Sequence, residues 1–272
     1  MSEAKPGSDL STRFAAGVVM IAVASAAVYF GGWAFRLLVA AGAAAMLIEW
    51  GDMHRVRRGW SWLGVALLIA ATLILSERLF PVARGDPAQI EATLFEPVWL
   101  GFGAILVLGL LYTVVTRRLA AGWGFVYIAV PAFALLVLNW AWFELVFWLM
   151  LVTWSTDIFA YFAGRGIGGP KLAPRISPNK TWAGLFGGMA GAAAVGALAA
   201  SAFSLDPLFL WLGAPMGFLA QMGDLYESSV KRRRGVKDSG SILPGHGGVL
   251  DRVDGLLPVS VATLLLLMLI LA

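Results

Sequence analysis

The sequence predicts an all-α, polytopic integral membrane protein of about nine transmembrane helices. Three observations carry that prediction. First, 60% of the 272 residues are hydrophobic and 13% are charged, with a mean hydropathy of +0.81. Soluble domains run at about 45–50% apolar and about 25% charged. Second, the apolar residues fall into nine runs, each near the roughly 17–25 residues that cross a bilayer as a helix. Third, the basic residues gather in every second loop, the asymmetry that fixes orientation in a membrane.

The nine spans are Phe14–Phe30, Trp33–Ile48, Trp60–Leu75, Pro97–Thr116, Leu119–Leu138, Trp140–Phe162, Trp182–Phe203, Pro207–Met222 and Leu256–Ala272. Trp33, Trp60, Trp140, Trp182 and Trp211 stand near span ends, where interfacial aromatics concentrate. Lys5 and Arg13 precede the first span, and its Ala24-Ser25-Ala26 resembles a leader cleavage site. The charge alternation works with this span retained, so it is expected to stay. Arg55, Arg57 and Arg58 follow the second span, and Arg117 and Arg118 the fourth. Arg165, Lys171, Arg175 and Lys180 follow the sixth, and the Lys231–Lys237 cluster follows the eighth. The other loops are short or lean acidic, as Glu77–Glu96 does. The basic loops are therefore expected inside, at the cytoplasmic face of a bacterial-type inner membrane, with the N-terminus inside and the C-terminus outside.

One membrane domain is expected over residues 1–272. The spans of 1–150 have no role that the sequence assigns. The C-terminal spans and loops, 151–272, carry the polar residues of a site. The Gly- and Ala-dense seventh span reads as a tightly packed helix.

Charge inside or at the end of a span is expensive and usually functional. Asp157 lies near the inner end of the sixth span and Asp224 closes the eighth. Asp251 and Asp254 stand just before the ninth. The topology thus brings four carboxylates to one membrane level, beside two basic loops. With no Cys and two His, a metal here must be a hard cation held by oxygen, such as Mg²⁺. Taken singly, each residue has an ordinary alternative. Asp157 can pair with Arg165, Asp224 can be a helix-end polar residue, and Lys231–Arg234 can anchor on anionic lipid. Glu144 reads as structural, Arg36 as reaching for the outer interface, and His54 has no partner that the sequence names.

Two polar segments are more specific. In Pro244–Asp254 (PGHGGVLDRVD), Gly245, Gly247 and Gly248 permit unusual backbone conformations and bring N–H groups close to an anion. His246 is flanked by them, and Arg252 can meet a phosphate. Asp251 and Asp254 share a face if the last helix already begins there. No Walker pattern is present. In Lys171–Gly184 (KLAPRISPNKTWAG), Ser177, Asn179, Lys180 and Thr181 offer donors just before the seventh span, at a helix start suited to phosphate.

Three blocks together resemble the CDP-diacylglycerol synthase (phosphatidate cytidylyltransferase) family. Ser228–Asp254 resembles its signature, Gln221–Ser228 the segment leading into it, and Lys171–Gly184 the loop before the next span. One position departs: the family usually carries Glu where Ala183 stands, and Glu227 and Asp157 are candidates to stand in for it. The resemblance implies a nine-helix homodimer that condenses CTP with phosphatidic acid and releases pyrophosphate. It further implies a dimetal site, with Mg²⁺ and room for a second cation, in which Asp224 and Asp251 are ligands.

On that reading Asp157 and Asp254 support the metal ligands. Lys231, Arg232, Lys237 and Arg252 contact phosphate, Asp238 orients Lys237, and His246 donates to a phosphate oxygen. Gly247 and Gly248 line the substrate. Ser177, Asn179, Lys180 and Thr181 form the opposite wall. The bilayer is a partner and nucleic acid is not. Two other readings stay open on the residues alone. One is a CTP-using lipid kinase, which would release CDP. The other is a transporter with an intramembrane cation site, which would place its charges near mid-membrane rather than at one face.

Overall fold

The structure is a computed structural model and describes residues 6–80, 94–243 and 247–272. These are almost wholly helical. In chain order the long helices are α1 (Pro6–Phe30), α2 (Gly32–Met53), α3 (Arg58–Leu79), α4 (Phe95–Thr116), α5 (Leu119–Ala141) and α6 (Phe143–Gly166). A short antiparallel hairpin follows, β1 (Lys171–Ala173) and β2 (Ser177–Thr181), then α7 (Trp182–Ala202) and α8 (Phe209–Arg233). The chain closes with α9 (Leu250–Val253) and α10 (Leu256–Ile270). Each of the nine predicted spans overlaps a helix, the last of them the 15-residue α10. Six of these are long and apolar enough to cross a membrane on those grounds alone. The chain is a multi-pass membrane protein.

Two elements differ from the sequence reading. The polar stretch Ser228–Asp254 is not one loop: its first residues extend α8 to Arg233. Glu227 and Lys231 pair at i,i+4 there, and Lys231, Arg232 and Arg233 sit in the last turn, where cations suit the helix dipole. Lys171–Thr181 is a hairpin, registered Lys171↔Thr181 and Ala173↔Ser177.

Buried residues of α4 follow a single ridge, Val98, Phe102, Ile105, Gly109, Tyr112 and Thr116. The three-to-four-residue spacing marks one face of a helix. The opposite face exposes Val107, Leu110, Leu111 and Val114, as a lipid-facing surface would. Helix α5 is the most enclosed, with Phe125, Ile128, Ala129 and Phe133 fully buried. Buried polar groups tie helices across the bundle. Asn139 Nδ2 donates to Val28 O at 3.0 Å, Trp50 Nε1 to Ala120 O at 2.8 Å and Trp148 Nε1 to Gly196 O at 2.8 Å.

Helices α6, α7 and α8 pack closest. A Cβ at Gly213 on α8 would lie 2.2 Å from Ala192 O on α7, so only small residues admit this approach. Gly223 on α8 does the same against the start of α10: its Cβ would stand 2.5 Å from Asp254 O, just before α10, and 2.8 Å from Pro258 Cγ within it. That contact brings the polar ends of α8 and α10 together.

Candidate active site

Asp224, Glu227 and Lys231 lie three and four residues apart along one flank of α8, and Asp254 follows α9. Asp224, Glu227 and Asp254 each bring a carboxylate oxygen within 4.8 Å of the other two. Glu227 is fully buried. Lys231 Nζ stands 2.5 Å from its Oε2 and 2.5 Å from Asp251 Oδ1, yet neither Glu227 oxygen completes a well-aligned hydrogen bond. Asp224 pairs with Lys180 of β2 through Oδ2 and accepts from Ser228 Oγ at 3.2 Å through Oδ1. Asp157 is exposed on α6 and interacts electrostatically with Asp224, Lys180 and Arg252.

Five carboxylates therefore share one region with three cations, Lys180, Lys231 and Arg252. The formal excess of negative charge has a visible effect. Burial first, then the charges of Asp224 and Glu227, push Asp254 well above the ordinary carboxylate range. Asp251 behaves oppositely. Burial raises it, but Lys231 and the N–H groups of Gly248 and Ser239 outweigh burial and hold it at about 2.

The loop between α8 and α9 is organised by two carboxylates. Asp251 Oδ2 accepts from Ser239 N and from Gly248 N, both at 2.9 Å. Glu49, at the end of α2 and 2% exposed, accepts from Val249 N at 2.8 Å, Leu250 N at 3.0 Å and Ser239 Oγ at 3.1 Å. Gly247 takes a positive φ of 80°, which a side chain rarely adopts. At Gly248 a Cβ would lie 2.0 Å from Ser239 Oγ and 2.7 Å from Glu49 Oε2. The glycines thus let the loop fold onto the protein's own carboxylates, and the Gly248 N–H is already engaged by Asp251.

The hairpin forms the opposite side. Thr181 caps α7, its Oγ1 accepting from Gly184 N at 3.0 Å. Arg232 Nε donates to Ile176 O at 3.2 Å, which ties the hairpin to the end of α8.

The predicted residues separate into three groups. Asp157, Lys180, Asp224, Lys231, Asp251, Arg252 and Asp254 come together. Asn179, Arg232, Lys237 and Asp238 are exposed around them, and Ser177 and Gly247 are half-buried. His246 and Gly245 lie outside the described residues. Three residues read singly from the sequence also have neighbours in the structure. Asp157 interacts with Lys180 and Arg252, Arg36 pairs with Glu77, and His54 Nδ1 lies 2.9 Å from Trp50 O with its ring stacked on Trp50.

Sequence reasoning missed Glu49 and gave Glu227 only a substitute's role. Glu49 did carry a signal: it is an acid at the end of an apolar run, AAAMLIE, where charge is costly.

Residues 11–270 match the model of a family described as the cytidylyltransferase family. The chain is 38% identical to the phosphatidate cytidylyltransferase of Brucella abortus biovar 1 (strain 9-941), over 96% of this chain and 93% of that protein. It is 34% identical to the phosphatidate cytidylyltransferase of Pseudomonas aeruginosa, over 91% of this chain and 93% of that one. A phosphatidate cytidylyltransferase of Bacillus subtilis (strain 168) is 46% identical over a shorter stretch, 41% of this chain and 43% of the relative.

Proposed function

The chain belongs to the cytidylyltransferase family, and on that premise we propose that it transfers CMP from CTP to phosphatidic acid in phospholipid biosynthesis. The products are CDP-diacylglycerol and pyrophosphate. The observation that carries this reading is similarity to phosphatidate cytidylyltransferases along nearly the whole chain. The paired Lys180–Asp224 and the carboxylate cluster beside it supply fitting chemistry.

In the reaction a phosphate oxygen of phosphatidic acid attacks the α-phosphorus of CTP. A new P–O bond forms as the bond to the β-phosphate oxygen breaks, and pyrophosphate leaves. The nucleophile is a phosphate monoester, already largely ionised near pH 7, so no strong general base is needed. The residues have to offset repulsion between two anions. Lys180 and Arg252 stand at the cluster, and exposed Arg232 and Lys237 stand around it. Ser177, Asn179 and Thr181 share the hairpin with Lys180 and form the facing wall, while Gly247 and Gly248 shape the loop on the other side. Asp238 orients Lys237, and His246 is assigned a phosphate contact.

The residues fit a divalent cation: Asp224, Glu227 and Asp254 bring carboxylate oxygens within 4.8 Å of one another, and the region holds more carboxylates than cations. Asp224, Glu227 and Asp254 would hold Mg²⁺, with Asp157 in support, and Asp251 would be a ligand for it or for a second cation. When bound, such a cation would supply charge that screens the phosphates and stabilises the leaving pyrophosphate.

Purified protein incubated with CTP and phosphatidic acid tests the reaction. Label from the α-phosphate should enter the lipid, and ATP should not replace CTP. Lipid labelled from the γ-phosphate would replace this reading with a kinase.

The same proposal puts the site at the cytoplasmic face of a bacterial-type inner membrane, because the basic loops flank the cluster. The chain has no cysteine, so R175C and D206C report orientation directly. An impermeant thiol reagent on intact cells should label position 206 and spare 175; the reverse would overturn the orientation. A homodimer, implied by the family resemblance, is decided by the mass of the detergent-purified protein.

A further inference from the structure

A cavity of about 470 Å³ opens beside the cluster, where the ends of α2 and α8 meet the start of α5. Its lining includes Trp50, His54, Trp123, Tyr226, Arg233 and Arg234. Tyr226 stands on α8 between Asp224 and Glu227 in sequence but points to another side of the helix. Its ring packs against Tyr127 at 5.2 Å, and its hydroxyl accepts from Trp123 Nε1 at 2.5 Å. The cavity therefore adjoins the carboxylate cluster without being part of it.

Its chemistry is two-sided. The inner wall is aromatic, and it is held rigid by the Trp50 bond to Ala120 O and the Trp50–His54 stack. The rim is cationic: Arg233 and Arg234 are exposed, and among the described residues no carboxylate lines the cavity. Burial, with Arg234 nearby, holds His54 below its ordinary pKa, so the positive charge at the rim is that of the two arginines. The remaining edge is Trp123, 51% exposed, and Leu119, 79% exposed, both in the first turns of an apolar helix. A soluble anion would leave that apolar edge unused. A neutral lipid would leave the arginines unpaired. An anionic glycerophospholipid uses both, with its phosphate at the guanidinium groups and its glycerol and acyl portion against Trp123 and Leu119.

We propose that this cavity is a docking site for an anionic glycerophospholipid next to the reaction centre, and that it receives the lipid substrate from the bilayer. The lipid's identity as substrate rests on the function proposed above; the binding does not. Arg233 and Arg234 have no part in the reaction as derived above.

The test uses the full chain in detergent and compares short-chain phosphatidic acid, the matching diacylglycerol and inorganic phosphate as probes. Wild type should bind phosphatidic acid in preference to the other two. The double variant R233Q/R234Q should bind it roughly tenfold or more weakly, since each basic group near the surface contributes about fivefold. Its KM for phosphatidic acid should rise while kcat and KM for CTP stay at wild-type values. W123A should weaken phosphatidic acid and leave phosphate unaffected. Wild-type lipid affinity and KM in the double variant would overturn the site. Phosphate competing as well as the lipid would reduce it to a bare anion site, and diacylglycerol binding equally would reduce it to an apolar one; either outcome overturns the proposal. The binding measurements need no turnover. A protein that binds lipid here but transfers no CMP would refute the activity and leave the cavity standing.

Discussion

Helices α1–α5 and the region from α6 to α10 treat charge differently. The second region collects Asp157, Lys180, Asp224, Glu227, Lys231, Asp251, Arg252 and Asp254 at one end of the bundle. The first contributes apolar mass, and among the described residues Glu49 is its one buried acid. That one acid nevertheless crosses to the other region and satisfies two backbone N–H groups and a hydroxyl of the loop. The contrast separates two uses of a carboxylate. Where several crowd together with too few cations, they are suited to bind an ion. Where one meets three aligned donors, it fixes a loop.

The sharpest way to break this comparison is at Asp224. D224N keeps the size and removes the charge. Turnover should fall at least about a hundredfold, more than about 2.7 kcal/mol in barrier, at normal protein yield. Retention of more than about a tenth of the wild-type rate would show that Asp224 holds no ion.

A smaller effect is expected at Glu49. E49A leaves the Val249 and Leu250 N–H groups and the Ser239 hydroxyl without their acceptor, and an unsatisfied buried group costs about 1–3 kcal/mol. Turnover should drop about tenfold, and the thermal midpoint should fall with it. E49Q, which keeps one acceptor oxygen, should recover most of both. If E49A matches wild type in rate and midpoint, the first region is packing alone and the comparison collapses. Mg²⁺ dependence divides the two uses further: the apparent Mg²⁺ affinity should shift in D254N and stay unchanged in E49Q.

Much of this was legible in the sequence because the chain is so apolar. Polar residues in such a background stand out, and the alternation of basic loops fixed the ends at which they meet. The spans, the level shared by Asp157, Asp224, Asp251 and Asp254, and the pairing of the Lys171–Gly184 segment with the signature all followed from that. What stayed hidden depends on contacts distant in sequence. Glu49 lies 201 residues from Leu250, and no local pattern announces that pairing. The extension of α8 through Arg233 is obscured because the sequence turns polar before the helix ends. A span can end where the helix does not. The engagement of Gly248 N by Asp251 was obscured because a glycine-rich turn looks the same whether its N–H groups face a substrate or a neighbouring carboxylate.

The reach of Glu49 also bears on how the protein is made. Helices enter the bilayer from the N-terminus onward, so α2 is in place long before α9 has been synthesised. Until then Glu49 has none of the donors it meets in the finished fold. It sits just before the last turn of α2. Its partners are Ser239, Val249 and Leu250, in the loop after α8 and at the start of α9. The loop that Glu49 holds can therefore close only after α8 and α9 have both been made, so a chain stopped before α9 has Glu49 in place but lacks the Val249 and Leu250 donors it holds.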